Sequence, residues 1–433
     1  MKKTYQTTAA AVATDEFVLP DSVTLAMADL AETVKEGLLA LAVGAGLGVM
    51  QVMMQESVTA VCGPKGAHDP QRSAVRHGSE DGSVTLGGRR VPVRRPRVRS
   101  ADGAAELRVP AYEVFTSTEL LGSMALQRMM AKLSTRRYGA GLEPVGAAVE
   151  ASSRSTSKSA VSRRFVAATE TALGEMLSAD LSGLDLVAVM IDGVHFADHL
   201  CVVALGIAID GTKHPLGVVE GDTENTTVVK DLLAGLRERG LDTTRPVLCV
   251  LDGAKALVAG VKAVFDHPVV HRCQLHKVRN VESKLPKALA ATVAKKMRAA
   301  YHDPDALAAE ATLEALARSL AKSHPGAAGS LREGLFETLT VTRLGVPPTL
   351  ARTLRSTNAI ESMIEICRDH STNVKRWRDG QMALRWCAAG MGEAAKQFRR
   401  VNGFLHLPAL RAALEAHVNA AVTPQCDDGH VAA

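Results

Sequence analysis

Leu186-Val-Ala-Val-Met-Ile-Asp192-Gly-Val-His195 is an apolar run that ends on a carboxylate, and Pro246-Val-Leu-Cys-Val-Leu-Asp252-Gly253 ends the same way. Continuous apolar runs of this length read as strands buried on both faces of a sheet. Outward from them, strand patterns recur at 199–209, 213–220 and 268–275. Helical patterns fill 226–239, stopped by Gly240, and 254–266. Three strands joined by tight turns, then helix, strand, helix, strand, is the order of an α/β fold with a ribonuclease H-like mixed sheet. Asp192 and Asp252 then fall on the first and fourth strands, which are neighbours in such a sheet. Adjacent strands lie roughly 4.8 Å apart, so the two carboxylates can share metal ions.

A third acid lies in Ser356-Thr-Asn358-Ala-Ile-Glu361-Ser-Met-Ile-Glu365, which reads as a helix. Asn358, Glu361, Glu365 and Arg368 step by three, four and three along one polar stripe. Ile360, Met363, Ile364 and Cys367 form the neighbouring apolar stripe that packs on a sheet. Glu361 thus belongs at the edge of the buried face, although spacing alone does not separate it from Glu365. Residues 253–360 far exceed the length of a crossover connection. Residues 281–350 are Ala- and Leu-rich with breaks at Pro286, Pro304, Pro325 and Pro347-Pro348, and read as a helical insertion.

Charge is distributed to match. Residues 185–270 hold 12 Asp or Glu against 7 Lys or Arg, whereas 89–99 carry six arginines and no acid. Residues 352–400 hold ten basic residues against five acidic ones. An acidic centre suits cations and basic flanks suit phosphates, which together describe a metal-dependent enzyme on a polyanion. The bulk composition is that of a globular protein with room for two or three domains: 433 residues, 46% hydrophobic, 22% charged, net charge +5.

The N-terminal part reads as mainly helical. Residues 20–60 form one or two helices, and 37–54 are mostly apolar. Gly44, Gly46, Gly48 and Gln51 interrupt that stretch and Glu36 and Glu56 flank it, so a buried amphipathic helix pair is expected there and no membrane span. Ser83-Val-Thr-Leu-Gly-Gly-Arg-Arg-Val-Pro-Val-Arg turns on Gly87-Gly88 as a hairpin whose arginines either ride on phosphates or form a plain solvated edge. From Thr118 the pattern is helical again. Ser155-Thr-Ser-Lys158-Ser-Ala-Val161-Ser-Arg163-Arg164-Phe165-Val166 has the character of a helix-turn-helix recognition helix, with Arg163 and Arg164 as phosphate candidates. The divisions are therefore 1–110, a helical region with a basic hairpin; 111–180, a helix-turn-helix-like DNA-binding region; 181–280 and 351–400, the two parts of the catalytic domain; 281–350, the insertion; and 401–433, a tail.

His271-Arg-Cys273-Gln-Leu-His276-Lys277-Val-Arg279-Asn280 lies between the second and third acids. One Cys-x-x-His pair is short of the four ligands of a closed zinc site, and His195, His199 and His271 are merely the nearest additions. Cys273 is expected buried at the strand end, with His276, Lys277 and Arg279 facing the site. Seven scattered cysteines without a CxxC pair, and no secretory signal, suggest a reducing cytoplasm and association with the nucleoid during action.

The ordered set Ile191-Asp192-Gly193, Asp252-Gly253, Cys273-x-x-His276-Lys277-x-Arg279-Asn280 and Thr357-Asn358-Ala359-Ile360-Glu361 with Arg368 resembles the Mutator-type transposases of bacterial insertion sequences. Arg376 and Trp377 in Lys375-Arg-Trp-Arg, and Trp386, fit the stretch beyond. The resemblance implies an Asp-Asp-Glu triad of Asp192, Asp252 and Glu361 holding two Mg²⁺ (or Mn²⁺) ions on a ribonuclease H-like fold with a helical insertion. It implies cleavage and strand transfer of double-stranded DNA, at terminal inverted repeats and a target, by a homodimer or higher oligomer. His276, Lys277, Arg279, Asn358, Arg368, Arg376 and Trp377 would serve the DNA. A nuclease or resolvase without strand transfer, and an inactive repeat-binding protein, are the competing readings.

Overall fold

The computed structural model describes residues 21–422 except 68, 70, 155 and 222–224. Ser155, the first residue of the expected recognition segment, and the tail from 423 lie outside the described residues. The chain divides into two compact units, Met1–Leu121 with Tyr138–Ala160, and Gly122–Arg137 with Val161–Ala433.

In the first unit, strands β1 (Ala74–Leu86) and β2 (Arg89–Ser100) form the hairpin, joined at Gly87-Gly88, with the short β3 (Glu106–Leu107) beside β2. Both turn glycines have positive φ, 54° and 76°, the conformation a two-residue hairpin turn needs. The arginines do not form a free basic face. Arg95 and Arg97 pair with Glu80 and Glu106, Arg94 with Asp81, and Arg89 is buried and paired with Glu150.

The expected helix pair at 37–54 is a single continuous helix, Asp21–Cys62. No proline interrupts it, and glycines alone weaken a helix without ending it. Nor are its described side chains, from 35 on, mostly buried, because apolar residues lie all round the cylinder there while only one stripe is covered. Met54, Val58 and Cys62 are buried, the last two with Ala74, Val98 and Val109, whereas Leu38, Leu41, Val49 and Val52 are exposed. By length and composition alone, 35–62 would suffice to cross a membrane.

The second unit is a mixed α/β structure. Strands β4 (Leu186–Phe196), β5 (His199–Ala208), β6 (Lys213–Gly221), β7 (Val247–Leu251) and β8 (Pro268–Arg272) form a sheet in the order β6-β5-β4-β7-β8. β4, β5 and β6 run antiparallel in sequence, while β7 and β8 lie parallel to β4. Both faces are covered, which is why β4 and β7 read as unbroken apolar runs. Val187, Met190 and Val250 pack on one side with Ile360, Met363, Ile364 and Cys387 from helices Asn358–His370 and Gly380–Gln397. Val189, Ile191 and Leu251 pack on the other with Val229, Leu233 and Val261 from helices Thr226–Glu238 and Lys255–Val264.

Residues 274–343 form six helices, with a separate core around Val281, Met297, Leu313 and Leu331. The prolines act as start signals: Pro286 and Pro347 precede helices, and Pro325 and Pro348 open them. β8 ends at Arg272, three residues before the expected 275. Cys273 is instead the N-cap of helix Gln274–Glu282, its sulfur accepting the His276 N–H at 3.5 Å.

Candidate functional site

Asp192 is the first polar residue of β4, and Asp252 follows β7 immediately. The parallel pairing runs Ala188↔Leu248, Val189↔Cys249, Met190↔Val250. The same offset puts Asp192, inside β4, level with Asp252, just past the end of β7. Each carboxylate is steadied by the turn that follows it: Gly193 N–H donates to Asp192 Oδ1 at 2.8 Å, and Ala254 N–H to Asp252 Oδ1 at 2.7 Å.

Glu361 lies in the first turn of Asn358–His370. Ile360, Met363, Ile364 and Cys367 bury the apolar stripe as expected, which holds Glu361 at the edge of the packed face. The fully buried Thr357 donates its hydroxyl to Glu361 Oε1 at 2.5 Å. His276 Nε2 is 3.9 Å from Oε1, and Arg279 Nη1 is 4.0 Å from Oε2. Thr357 was missed in the sequence reading; its position in the quoted Thr-Asn pair, one turn before the acid, was the available signal. Glu365 is exposed and lines a separate hollow with Ser362, Arg368, Asp369 and Thr372.

Crowding of the acids is visible in the protonation of Asp192. Burial raises its carboxyl to about 6; Asp252 and Glu361 add to the rise, and the Gly193 N–H and His276 oppose it. His276 is itself raised, first by its hydrogen bond to Cys273, with Glu361 and Asp252 assisting and burial opposing. Burial would raise the Cys273 thiol, but hydrogen bonds with His276 and Thr357 leave it lowered.

Cys273, His276 and Glu361 bring ligand atoms within 4.8 Å of one another. Asp192, with Asp252 and Glu361 near enough for their charges to raise it, offers oxygen donors instead. The thiol is already engaged as a helix cap and is buried, whereas Asp252 and Glu361 both bear on Asp192, and hard oxygen donors suit Mg²⁺ or Mn²⁺. The residues present fit a divalent cation.

Two residues expected on the DNA face point elsewhere. Lys277 is buried, and its Nζ donates to the carbonyls of Ser330 at 2.7 Å and Glu333 at 2.6 Å. Burial pushes its pKa down to about 8. On a helix, consecutive residues diverge by about 100°, so His276 can face Glu361 only if Lys277 turns into the insertion. Trp377 is half-buried and packs on the core, with ring centroids 4.8 Å from Phe196 and 6.3 Å from Trp386. Arg279, Asn358, Arg368 and Arg376 are exposed on the same unit. Arg163 is exposed on helix Lys158–Ser178 and Arg164 half-buried. The inner stripe of that helix, Val161, Phe165, Thr169 and Leu173, is buried, with Phe165 4.6 Å from the Trp386 ring.

The family model described as "Transposase, Mutator family" matches residues 20–401. The chain is similar to the transposase for insertion sequence element IS6120 of Mycolicibacterium smegmatis, 30% identical over 237 residues that cover 53% of this chain and 72% of that one. It is likewise similar to the transposase for ISRM5 of Rhizobium meliloti (strain 1021), 27% identical over 365 residues, 84% of this chain and 89% of that one.

Proposed function

We propose, from the premise that the chain belongs to the Mutator family of transposases, that it cuts DNA at the terminal inverted repeats of its own insertion sequence and joins the ends to a target. Asp192, Asp252 and Glu361 would hold divalent cations, Mg²⁺ or Mn²⁺, in a two-metal site. The observation that carries this reading is the level placement of Asp192 and Asp252, with Glu361 close enough for its charge to act on Asp192. A buried Asp192 carboxyl, raised by its burial and by the charges of Asp252 and Glu361, is an unfavourable arrangement that bound cations relieve. The strand order β6-β5-β4-β7-β8, with its antiparallel and parallel halves, supports a ribonuclease H-like reading of the sheet.

Bound there, the cations would supply an activated attacking oxygen and neutralise charge on the phosphate and the leaving oxygen. The chain's own residues set the stage. The Gly193 and Ala254 amides each fix one oxygen of an aspartate and leave the other oxygen to the site. Thr357 holds Glu361 in one rotamer, and packing of Ile360 and Ile364 fixes the turn beneath it. His276 and the exposed Arg279 put positive charge beside Glu361, where a DNA phosphate would be drawn in. Arg163 with Arg164, Asn358, Arg368 and Arg376 are the further DNA contacts in this reading, and the acting form is a homodimer or higher oligomer holding two ends.

The test is incubation of the full chain with labelled element ends and Mg²⁺. Wild type should release 3′ ends and join them to a second duplex, and Asp192→Asn should bind the same ends without cutting. Cutting by Asp192→Asn at the wild-type rate would remove the carboxylate site from the account.

A further inference from the structure

Beside the first turn of Asn358–His370 lies a cleft of about 480 Å³ whose lining includes Lys213, Arg352, Arg399 and Arg400, together with Asn358 and Ser362. It is lined by no carboxylate. Among the described residues, none of the four cations is in an ion pair, which sets them apart from the paired arginines of the hairpin. Asp210, whose charge feels Arg400, already accepts the Thr212 amide and hydroxyl at 2.9 and 2.7 Å.

Two of the cations are held on aromatic rings instead of carboxylates. Lys213 Nζ sits 4.7 Å from the Phe398 ring centroid and the Arg400 guanidinium 5.2 Å from that of Phe404. A ring face orients a cation without neutralising it, so the charge stays available to a ligand. Four like charges around one hollow repel one another unless an anion fills it.

Position adds the ligand's identity. Ser362 follows Glu361, about 100° round the helix axis, and Asn358 is one turn earlier. A strand whose phosphate lies at Glu361 therefore passes into the cleft as it leaves. We infer that Lys213, Arg352, Arg399 and Arg400 form a binding groove for DNA backbone phosphates neighbouring the reacting one, with Asn358 and Ser362 as neutral hydrogen-bonding partners. The inference rests on the functional reading above and adds four residues outside the motifs that carry it. Phosphate contacts of this kind set register and affinity without reading sequence.

The experiment measures binding of the full chain to an element-end duplex and to a scrambled duplex by fluorescence anisotropy between 50 and 200 mM salt. Arg399→Gln, Arg400→Gln, Arg352→Gln and Lys213→Gln should each lower the slope of log Kd against log salt by about 1, and the Arg399→Gln/Arg400→Gln pair by about 2, on both duplexes alike. Arg399→Lys/Arg400→Lys keeps the charge and should keep the slope, which separates charge from folding, as do unchanged melting curves. An unchanged slope in the double Gln variant overturns the groove even when wild type cuts DNA in Mg²⁺. A lowered slope in a chain that never cuts supports the groove and sinks the catalytic reading instead. A thermal shift by pyrophosphate that the double variant loses, with its DNA slope unchanged, would make this a free-phosphate site and overturn the DNA assignment.

Discussion

Asp192 ends the buried apolar run of β4, and the charges of Asp252 and Glu361 act on its carboxyl. Its raised pKa has a consequence for stability. In the unfolded chain an aspartate titrates near about 3.9, and in the fold Asp192 titrates at about 6. The fold thus binds the extra proton between these values. Its contribution to stability is fully present below the lower value and is lost as pH rises through the upper one. Without metal, Asp192→Asn should therefore raise stability at pH 7.5 by about 2 kcal/mol and leave it unchanged at pH 3.5. Added Mg²⁺ should raise the wild-type melting temperature and not the variant's. Equal melting of both proteins at both pH values, read by calorimetry, would contradict the raising of Asp192 by its burial and its acidic neighbours.

Glu361 and Glu365 separate at the same scale. Glu361 is bonded to Thr357 and flanked by His276 and Arg279, while Glu365 faces a different hollow. Glu361→Gln should abolish cutting of labelled ends, and Glu365→Gln should slow it by a modest factor at most. The reverse ranking would move the third ligand by one helical turn.

At the scale of elements, helix Asn358–His370 is placed by close packing against Gly380–Gln397. A Cβ built on Gly390 would lie 2.8 Å from Cys367 Cα and 3.0 Å from Cys367 Sγ, so the helices touch where only glycine fits. Gly390→Ala should destabilise by about 1–3 kcal/mol and reduce cutting on the order of a hundredfold if Glu361 moves by about 1 Å. Gly392→Ala, with nothing within 4 Å of its added carbon, is the matched control and should leave both properties near wild type. Equal rates for the two variants would show that this contact does not position Glu361.

Element boundaries also explain what could be read in advance. The strands of the sheet were legible because burial on both faces leaves an unbroken apolar signature, and the acids were legible because they terminate it. The Glu361 helix was legible from its two parallel stripes. Lys277 was not, because the pattern ran β8 on to 275. Only the break at Cys273 puts 276–280 on a helix, where neighbours diverge and Lys277 meets buried carbonyls. Trp377 was read as a DNA contact because an aromatic among arginines looks the same in a nucleic-acid face and over a core. Its partner Phe196 is far away in sequence, on β4. The hairpin's register was legible from Gly87-Gly88, but the acids that neutralise its arginines, Glu80, Glu106 and Glu150, came into range only through pairing across β1, β2 and β3 and through helix Ala147–Ser152.

Across the whole molecule, family membership spans both compact units, and the three acids lie in the second, separated in sequence by the helical insertion. The sheet brings two acids together and the helix after the insertion brings the third, so the chemistry depends on residues far apart in the chain. The most direct measurement is the rate at which the full chain cuts labelled element ends in Mg²⁺, compared with Asp252→Asn on the same ends. The expected result is Mg²⁺-dependent cutting by wild type, loss of cutting in Asp252→Asn, and equal end binding by both. Cutting that persists in Asp252→Asn, or that proceeds unchanged in wild type with all divalent ions chelated, would contradict a metal-dependent carboxylate triad as the centre of this protein.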